Sequence, residues 1–568
     1  MCDLHHSDHE RTAPDSGLNR RQVMQLLAAA GVTTGMAAGA GAAAAEPEPG
    51  APRTGLAKDT PAKRTALSWI DRHAGEVTGL NDEIWEHAEL SLREWNSALA
   101  EAEFLRRAGF EIEWGTAGFP TAFTATFRNG RGPALGFSGE YDALPGLSQR
   151  AGAGTHDPLV YHHDPFAPSY GTGHGCGHCA LGAAAAGAAA ATAEGMRRHR
   201  VGGTVKFFGS TAEELMIGKA YAVRAGVYDG LDAFLDWHPA ATTATGWGTT
   251  SAMNAVTFTF LGVAGHGGDP LGNKSALDGA VMLATMTEFL REERLAPSGR
   301  LNYVINQGGD AANVTPEIAQ ISFYVREGSP ERVRVLLDSV IRCAEAAAQA
   351  SGTTVRHRVT ASVWHKLPSR SAAELLHENM VQLGPPRFTD ADQRFAKQVQ
   401  SSLGLPEVGM FSEIAELVPP NPVFLGGGST DVADISWQVP TVSLGTAVAP
   451  IGAKTHNWAF TAAAGSGPGH AALLATARYL SATAIDLLTQ PERLRELGAE
   501  FAQRTEGTEW RSLLPDDYEP PMYEPPEWFL RRTGQSWPPD NITWPPERVV
   551  SKEEFASLGP ALPRSSDE

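Results

Sequence analysis

Gly173-His-Gly-Cys-Gly-His178 carries a thiol, Cys176, and an imidazole, His178, on one glycine-rich segment. Farther on, Ser210-Thr-Ala-Glu-Glu214 carries the adjacent carboxylates Glu213 and Glu214, and Asp236-Trp-His-Pro239 carries His238. Thiolate, imidazole and carboxylate together suit zinc or manganese, and such an ion makes water a nucleophile near neutral pH. Taken singly, each residue has an ordinary explanation: a hydrogen-bonded histidine, a solvated Glu-Glu pair, a buried cysteine acting as a small hydrophobe. Jointly they fall just after short apolar runs, and an open α/β sheet binds ligands outside the carboxyl ends of its strands. Cys176-Gly-His-Cys179 also matches the tetrapeptide of thiol-disulfide oxidoreductases. Its Gly-rich and Ala-rich flanks, in a long chain, differ from the Trp-led turn of those small domains.

The elements that must position these groups follow from the patterning. Ala134-Leu-Gly-Phe-Ser138, Thr204-Val-Lys-Phe-Phe208 and Ala233-Phe-Leu-Asp-Trp237 read as buried strands, and Ala180 to about Arg198 as a small-residue helix. Ser97 is placed to cap a helix that carries Ala98, Ala102 and Leu105 and stops at Gly109. Strands separated by helices of this length indicate an α/β sheet. From Ser251 the order becomes strand (255–261), helix (276–293), strands (302–306 and 318–325), helix (331–348) and strand (354–363), a compact inserted two-layer unit. The expected organisation is a segment 1–45, a linker 46–63, an α/β unit over 64–250 and 371–490, the insertion 251–370, and a Pro/Trp-rich tail 491–568. That tail is expected to lie over the α/β unit as an extended strap.

The 568 residues have room for about three or four domain-sized units, and 42% hydrophobic with 20% charged residues indicates a globular core. A formal charge of −19 opposes the counterion-release attraction that drives nucleic-acid binding, so nucleic acid is excluded as a partner. Four cysteines are too few for a disulfide scaffold. Arg20-Arg21, the Ala/Gly-rich stretch after them and Ala43-Ala44-Ala45 have the layout of a twin-arginine signal. The mature chain is thus expected to begin near Glu46, to be extracellular or periplasmic, and to carry no membrane span.

Five motifs in order resemble the aminobenzoyl-glutamate utilisation protein B family, within the dimetal aminoacylase/carboxypeptidase amidohydrolases. They are Gly139-Glu-Tyr-Asp-Ala-Leu-Pro-Gly-Leu-Ser-Gln149, Gly173 to His178, Glu213-Glu214, Trp237-His-Pro239 and Gly428-Ser-Thr-Asp-Val-Ala-Asp434. The resemblance runs from about residue 66 to about residue 488. It implies a zinc-peptidase-like α/β/α catalytic domain with an inserted α+β dimerisation lid. It further implies that Cys176, His178, Glu214, His238 and His456 bind two divalent ions, zinc or manganese. Glu213 is then the general base, taking a proton from the attacking water and returning it to the leaving amine. Asp142 orients a ligand histidine. His266, in Gly265-His-Gly-Gly268, reaches the partner subunit's site and stabilises an oxyanion, while Asn313 and Arg326 hold the substrate's carboxylate. Cys179 departs from the family pattern, which has Asn or Asp there.

The expected activity is metal-dependent hydrolysis of the amide of an N-acyl or N-aroyl amino acid, with aminobenzoyl-glutamate foremost. The substrate is a small amide with a free carboxylate, and the assembly a homodimer or a complex with a different subunit. A dipeptidase or general aminoacylase would use the same residues. An inactive metal-bearing binding protein would have no need of the free carboxylate of Glu213.

Overall fold

A computed structural model describes residues 57–162, 169–420, 427–516, 520 and 522–537. The twin-arginine segment, most of the linker and the last part of the tail lie outside the described residues.

Short runs that are apolar on both faces cannot face water on either side, and here they become the centre of a seven-stranded sheet. Its strands are β1 (Glu111–Trp114), β2 (Phe123–Asn129), β3 (Ala134–Glu140), β6 (Gly203–Ser210), β7 (Ala233–Ala240), β8 (Ala244–Thr245) and β13 (Thr441–Ala447), with β4 (Tyr161–His162) and β5 (Ser169–Tyr170) forming a separate hairpin. The order is β1-β2-β6-β3-β7-β13-β8. β6, β3, β7 and β13 are parallel, and β2 and β8 run against them. Register pairs Glu140 with Ser210 and His238 with Gly445, so the carboxyl ends of β3, β6 and β7 open on one edge.

The helix His178–His199 packs beneath that edge, and its alanines and glycines are almost all buried. Small side chains let the helices Pro61–Arg72, Ala74–His87 and Gly467–Thr489 approach it closely, in one continuous core with Phe137, Phe207 and Leu235 of the sheet. Gly467–Thr489 is, among the described residues, the one helix long and apolar enough to cross a membrane, yet most of it is buried in this core. Lys63, expected at the end of a linker, is instead inside the first helix. Thr60 caps that helix, and Lys63 is buried with its Nζ 2.8 Å from Asp486 and 3.0 Å from Asn379 Oδ1.

The chain leaves this unit after β8 and returns at the helix Arg370–Leu383. Between them β9 (Ala252–Leu261), β10 (Arg300–Gln307), β11 (Ile318–Glu327) and β12 (Thr354–Val363) form an antiparallel sheet of order β10-β11-β9-β12. Phe258, Phe260, Ile321 and Phe323 share one face and bury the helices Ala276–Glu293 and Pro330–Ser351. Residues of the other face, Met253, Ala255 and Tyr324, meet Ala212 and Met216 of the α/β unit.

Two local expectations are corrected. Ser97 does not cap its helix, which runs Trp95–Arg107 with Glu94 at the cap position; its hydroxyl donates to Glu89 Oε2 at 2.8 Å. The tail is not an extended strap from residue 491, because Pro491–Thr505 and Glu527–Thr533 are helices. Leu497 anchors the first and Phe529, against Trp95 and Trp114, the second. Between them Trp510 donates to Asp434 Oδ1 at 2.7 Å, and Trp364, just past β12, donates to the carbonyl of Arg511 at 2.9 Å.

Candidate active site

Five separated segments converge at the open edge of the large sheet. β3 ends at Glu140 and delivers Asp142 two residues later, both buried. Cys176 and His178 flank Gly177, which sits at φ +80° and lets the chain turn abruptly into the helix His178–His199. β6 ends at Ser210 and gives way to a tight loop whose Ala212 and Met216 are left-handed at φ +55° and +57°, one on each side of Glu213-Glu214. A Cβ at Gly218 would stand 1.8 Å from the carbonyl of Thr211, so only glycine lets that loop fold back on itself. β7 alternates: Trp237 points into the core and donates to the carbonyl of Leu181 at 2.9 Å, leaving His238 on the other side. His456, in the loop after β13, is also left-handed at φ +59°, and its backbone N–H donates to the carbonyl of Gly175 at 2.8 Å. Such non-glycine residues cost about 1–3 kcal/mol each and persist where the surroundings over-determine them.

The ligand atoms of Cys176, His178 and His238 lie within 4.8 Å of one another, as do those of Cys176, Glu214 and His456, and those of Glu140, His178 and Glu213. Cys176 is common to the first two groups. Cys176 Sγ is 3.3 Å from His238 Nε2, and His456 Nε2 is 3.5 Å from Glu214 Oε2. The other nitrogens of the two central histidines are occupied. Nδ1 of His178 bonds Asp142 Oδ1 at 2.7 Å, and Nδ1 of His238 bonds the Pro239 carbonyl at 2.8 Å. A proton on each Nδ1 leaves the Nε2 lone pairs facing the cluster. Asp142 is itself held: its Oδ2 accepts from the Glu214 backbone N–H at 2.9 Å and from the Ser91 hydroxyl at 2.7 Å.

His178 Nε2, Glu214 Oε1 and Glu140 Oε2 are buried without a hydrogen-bond partner. Burial, then the charge of Glu140, holds Glu213 well above the ordinary carboxylate range, and burial pushes Glu214 up to about 7. Burial, then Glu214, raises the Cys176 thiol, and burial with His178 and His238 lowers His456 to about 4. Burial works against a charge on His178, but Cys176, Glu140 and Asp142 outweigh it and hold its pKa high. A thiol, three imidazoles and a carboxylate converge there, with His178 Nε2 and Glu214 Oε1 left without partners, and such a donor set fits a divalent ion.

Arg326 is also drawn to this region, since its charge helps depress His456. Its guanidinium lies 5.3 Å from the Tyr324 ring, Nη1 donates to Asn302 Oδ1 at 3.4 Å, and Nε is buried without a partner. His266 and Asn313 lie elsewhere in the same chain. They are exposed neighbours on the inserted unit, where Gly267 N donates to the Asn313 carbonyl at 2.8 Å and Gly268 N to His266 Nδ1 at 2.9 Å. The oxidoreductase alternative finds no reactive dithiol. Both cysteines are free, Cys179 is fully buried in the apolar core, and burial raises both thiols, opposite to what a reactive thiol needs.

Lys219 and Asp431 escaped the sequence reading as site neighbours. Lys219 Nζ lies 2.9 Å from Glu140 Oε1 and 2.5 Å from Asp431 Oδ1, all three buried. Burial opposes the charge of Lys219, but Asp431 and Glu140 outweigh it and keep the ammonium well above the usual lysine range. The available signal was a lone lysine in the apolar stretch Leu215-Met-Ile-Gly-Lys-Ala-Tyr-Ala-Val223.

A parallel-sheet edge bearing a thiol–imidazole–carboxylate cluster with a second glutamate, Glu213, beside it is the site of a metal-dependent amidohydrolase. The chain belongs to Peptidase family M20/M25/M40, whose model matches residues 136–478. It is 31% identical over 479 residues to one of the subunits of p-aminobenzoyl-glutamate hydrolase from Escherichia coli (strain K12), covering 79% of this chain and 97% of that protein. It is 28% identical over 456 residues to human Xaa-Arg dipeptidase, covering 77% and 92% of the two chains. The fold is shared with a solved structure from methicillin-resistant Staphylococcus aureus, assigned there as an aminohydrolase. That match has a TM-score of 0.50 at 19% identity and covers 75% of this chain and all of that one.

Proposed function

We propose that this enzyme hydrolyses the amide bond of N-acyl or N-aroyl amino acids bearing a free carboxylate, with p-aminobenzoyl-glutamate as the first substrate. The observation that carries the reading is the convergence of ligand atoms from Cys176, His178, Glu214, His238 and His456 beside Glu213, with His178 Nε2 and Glu214 Oε1 buried and unpartnered and the charge of Arg326 acting on His456. These five residues would hold two divalent ions. The mixed donor set suits zinc or manganese. When bound, the ions supply Lewis acidity to the amide carbonyl and to water.

This chain's own residues do the rest. Glu213, with its pKa raised by burial, accepts a proton from the attacking water and delivers it to the departing amine nitrogen. Asp142 fixes the His178 ring so that Nε2 faces the ions. Arg326, with one N–H unpaired, receives the carboxylate of the substrate, joined by Asn313 of the partner subunit, which lies beside His266 on the inserted unit. His266 of the partner subunit steadies the developing oxyanion. Edge strand β10 exposes Tyr303, Val304 and Ile305, which supports a dimer formed through the inserted sheet. The E. coli relative is one subunit of its hydrolase, which supports a different partner chain as the alternative. Export by the twin-arginine route to the periplasm or beyond rests on Arg20-Arg21 and the Ala-rich segment after them.

Turnover of p-aminobenzoyl-glutamate, N-acetyl amino acids and Xaa-Arg dipeptides by the metal-loaded protein tests the assignment. A kcat/KM at least about tenfold higher on the aroyl substrate supports it. Preference for the dipeptides moves the chain to the dipeptidase branch, and no turnover of any of them refutes the hydrolytic reading.

A further inference from the structure

The cluster contains a carboxylate that this mechanism does not use. Glu140 Oε2 is 3.3 Å from His178 Nε2, nearer than Glu213 Oε2 at 3.7 Å or Glu214 Oε1 at 4.0 Å. It is buried, unpartnered, and grouped with His178 and Glu213 as ligand atoms within 4.8 Å of one another. By donor chemistry and distance alone it would be a ligand.

Its other oxygen is differently engaged. Lys219 Nζ sits 2.9 Å from Glu140 Oε1 and is itself fixed at two points on Asp431, through Nζ to Oδ1 at 2.5 Å and through its backbone N–H to Oδ2 at 2.9 Å. Neither Lys219, Glu140 nor Asp431 is open to solvent. The main chain of Glu140 is pinned as the last residue of β3, opposite Ser210 of β6. With Oε1 on the ammonium and the main chain fixed, Oε2 can turn farther toward an ion only by a rotation that also draws Oε1 away from Lys219, which would strip a buried cation of one of its two partners, a strongly unfavourable exchange.

We propose that Lys219 is a positioning residue that holds Glu140 back from the ions, keeping the position beside His178 open to water and substrate. The inference rests on the two-ion reading above. It assigns Lys219 and Asp431 a restraining role and leaves Glu140 as a near neighbour of the ions without being their ligand. With the restraint removed, Glu140 closes onto the open position. The ions are then held more tightly and the reaction slows, a combination that simple damage to the site does not produce.

The experiment compares Lys219→Met, Glu140→Gln and the double variant in the full chain. Affinity for Mn²⁺ and Zn²⁺ is measured by chelator competition and kcat on p-aminobenzoyl-glutamate. Glu140→Gln is expected to keep the wild-type ion stoichiometry and an affinity within about threefold of wild type, whereas loss of a ligand costs far more than the 10–100-fold of an outer-shell change. Lys219→Met is expected to bind the ion about tenfold more tightly and to lose about tenfold or more in kcat. The double variant is expected to return both values to those of Glu140→Gln alone. Loss of an ion, or a fall in affinity beyond the roughly 100-fold limit of an outer-shell change, in Glu140→Gln overturns the inference by making Glu140 a ligand. Weakened binding in Lys219→Met that Glu140→Gln does not reverse overturns it by making Lys219 merely structural. Should Lys219→Met fail to fold, Glu140→Gln decides alone on the same criterion. A wild-type protein that takes up no stoichiometric Mn²⁺ or Zn²⁺ overturns the two-ion reading itself, an outcome distinct from either.

Discussion

Asp142→Asn tests how the site holds its metal, because this one carboxylate organises three other groups. Oδ1 accepts from His178 Nδ1 at 2.7 Å, and Oδ2 accepts from the Glu214 backbone N–H at 2.9 Å and the Ser91 hydroxyl at 2.7 Å. An asparagine has one acceptor oxygen, so one side of this arrangement must fail. With oxygen toward His178, its NH2 opposes the Glu214 N–H. With NH2 toward His178, Nδ1 must become the acceptor and the proton moves to Nε2, which removes the lone pair from the cluster. Asp142 is buried and its carboxyl is held below the usual range. Burial alone would raise it, but His178 and the hydrogen bonds outweigh that. The interaction lost is therefore a charge-assisted hydrogen bond of about 1.5–3 kcal/mol. At about 1.4 kcal/mol per decade, metal affinity is expected to fall about 10–100-fold. Ser91→Ala, which removes one neutral donor and leaves both oxygens, is expected to cost threefold to tenfold, from about 1 kcal/mol. Competition with a chelator, read alongside thermal unfolding to verify folding, measures both. A folded Asp142→Asn that binds Zn²⁺ or Mn²⁺ within about threefold of wild type would refute the orienting role.

Glu213→Gln is expected to retain its ions by elemental analysis while kcat falls about 10²–10⁴-fold; ion loss would make Glu213 a ligand. Cys176→Ser should weaken metal binding sharply, whereas Cys179→Ala, a core truncation, should leave metal content unchanged at a stability cost of about 1–2 kcal/mol. Mixing Glu213→Gln with His266→Ala subunits is expected to restore turnover if His266 acts across an interface, and no recovery after demonstrated exchange would remove it from that role. Metal uptake should release protons, from the raised Cys176 thiol and from His178, whose pKa is held high, with a further one from Glu214 below its value of about 7. The slope of log affinity against pH should therefore steepen below about pH 7, as calorimetry in buffers of different ionisation enthalpy would register. Asp434 is pushed from 3.8 up to about 7 by burial, so between those values the folded chain holds a proton that the unfolded chain lacks, and stability falls as pH rises. Trp510→Phe removes a donor that favours the ionised form, and its loss in Tm is expected to be larger at pH 8 than at pH 5.

Local information was sufficient wherever one segment determines its own environment. Apolar runs that are short and two-sided read as buried strands, and β3, β6 and β7 contain those runs with two or three residues added at their ends. The periodicities of the insertion marked its strands and its two helices for the same reason, each element burying one face of its own. The ligand-type residues were legible because Cys, His and Glu stand next to short apolar or glycine-rich runs, although only Glu213-Glu214 lie just past the end of a strand of the large sheet and His238 lies within β7; the family resemblance supplied His456, which no spacing indicates. Local rules misjudged Ser97, whose hydroxyl serves Glu89, and the start of the tail, where Leu497 anchors a helix. They also missed Lys63, which pairs with an Asp486 423 residues away.

Tertiary structure alone decided which charges share the buried edge. Lys219 and Asp431 are 212 residues apart, and only the strand order that sets β3 between β6 and β7 brings their pair against Glu140. A sequence states each group's type but neither its depth nor its neighbours. In a low-dielectric interior those two quantities determine whether a carboxylate is a ligand, a base or a restrained bystander.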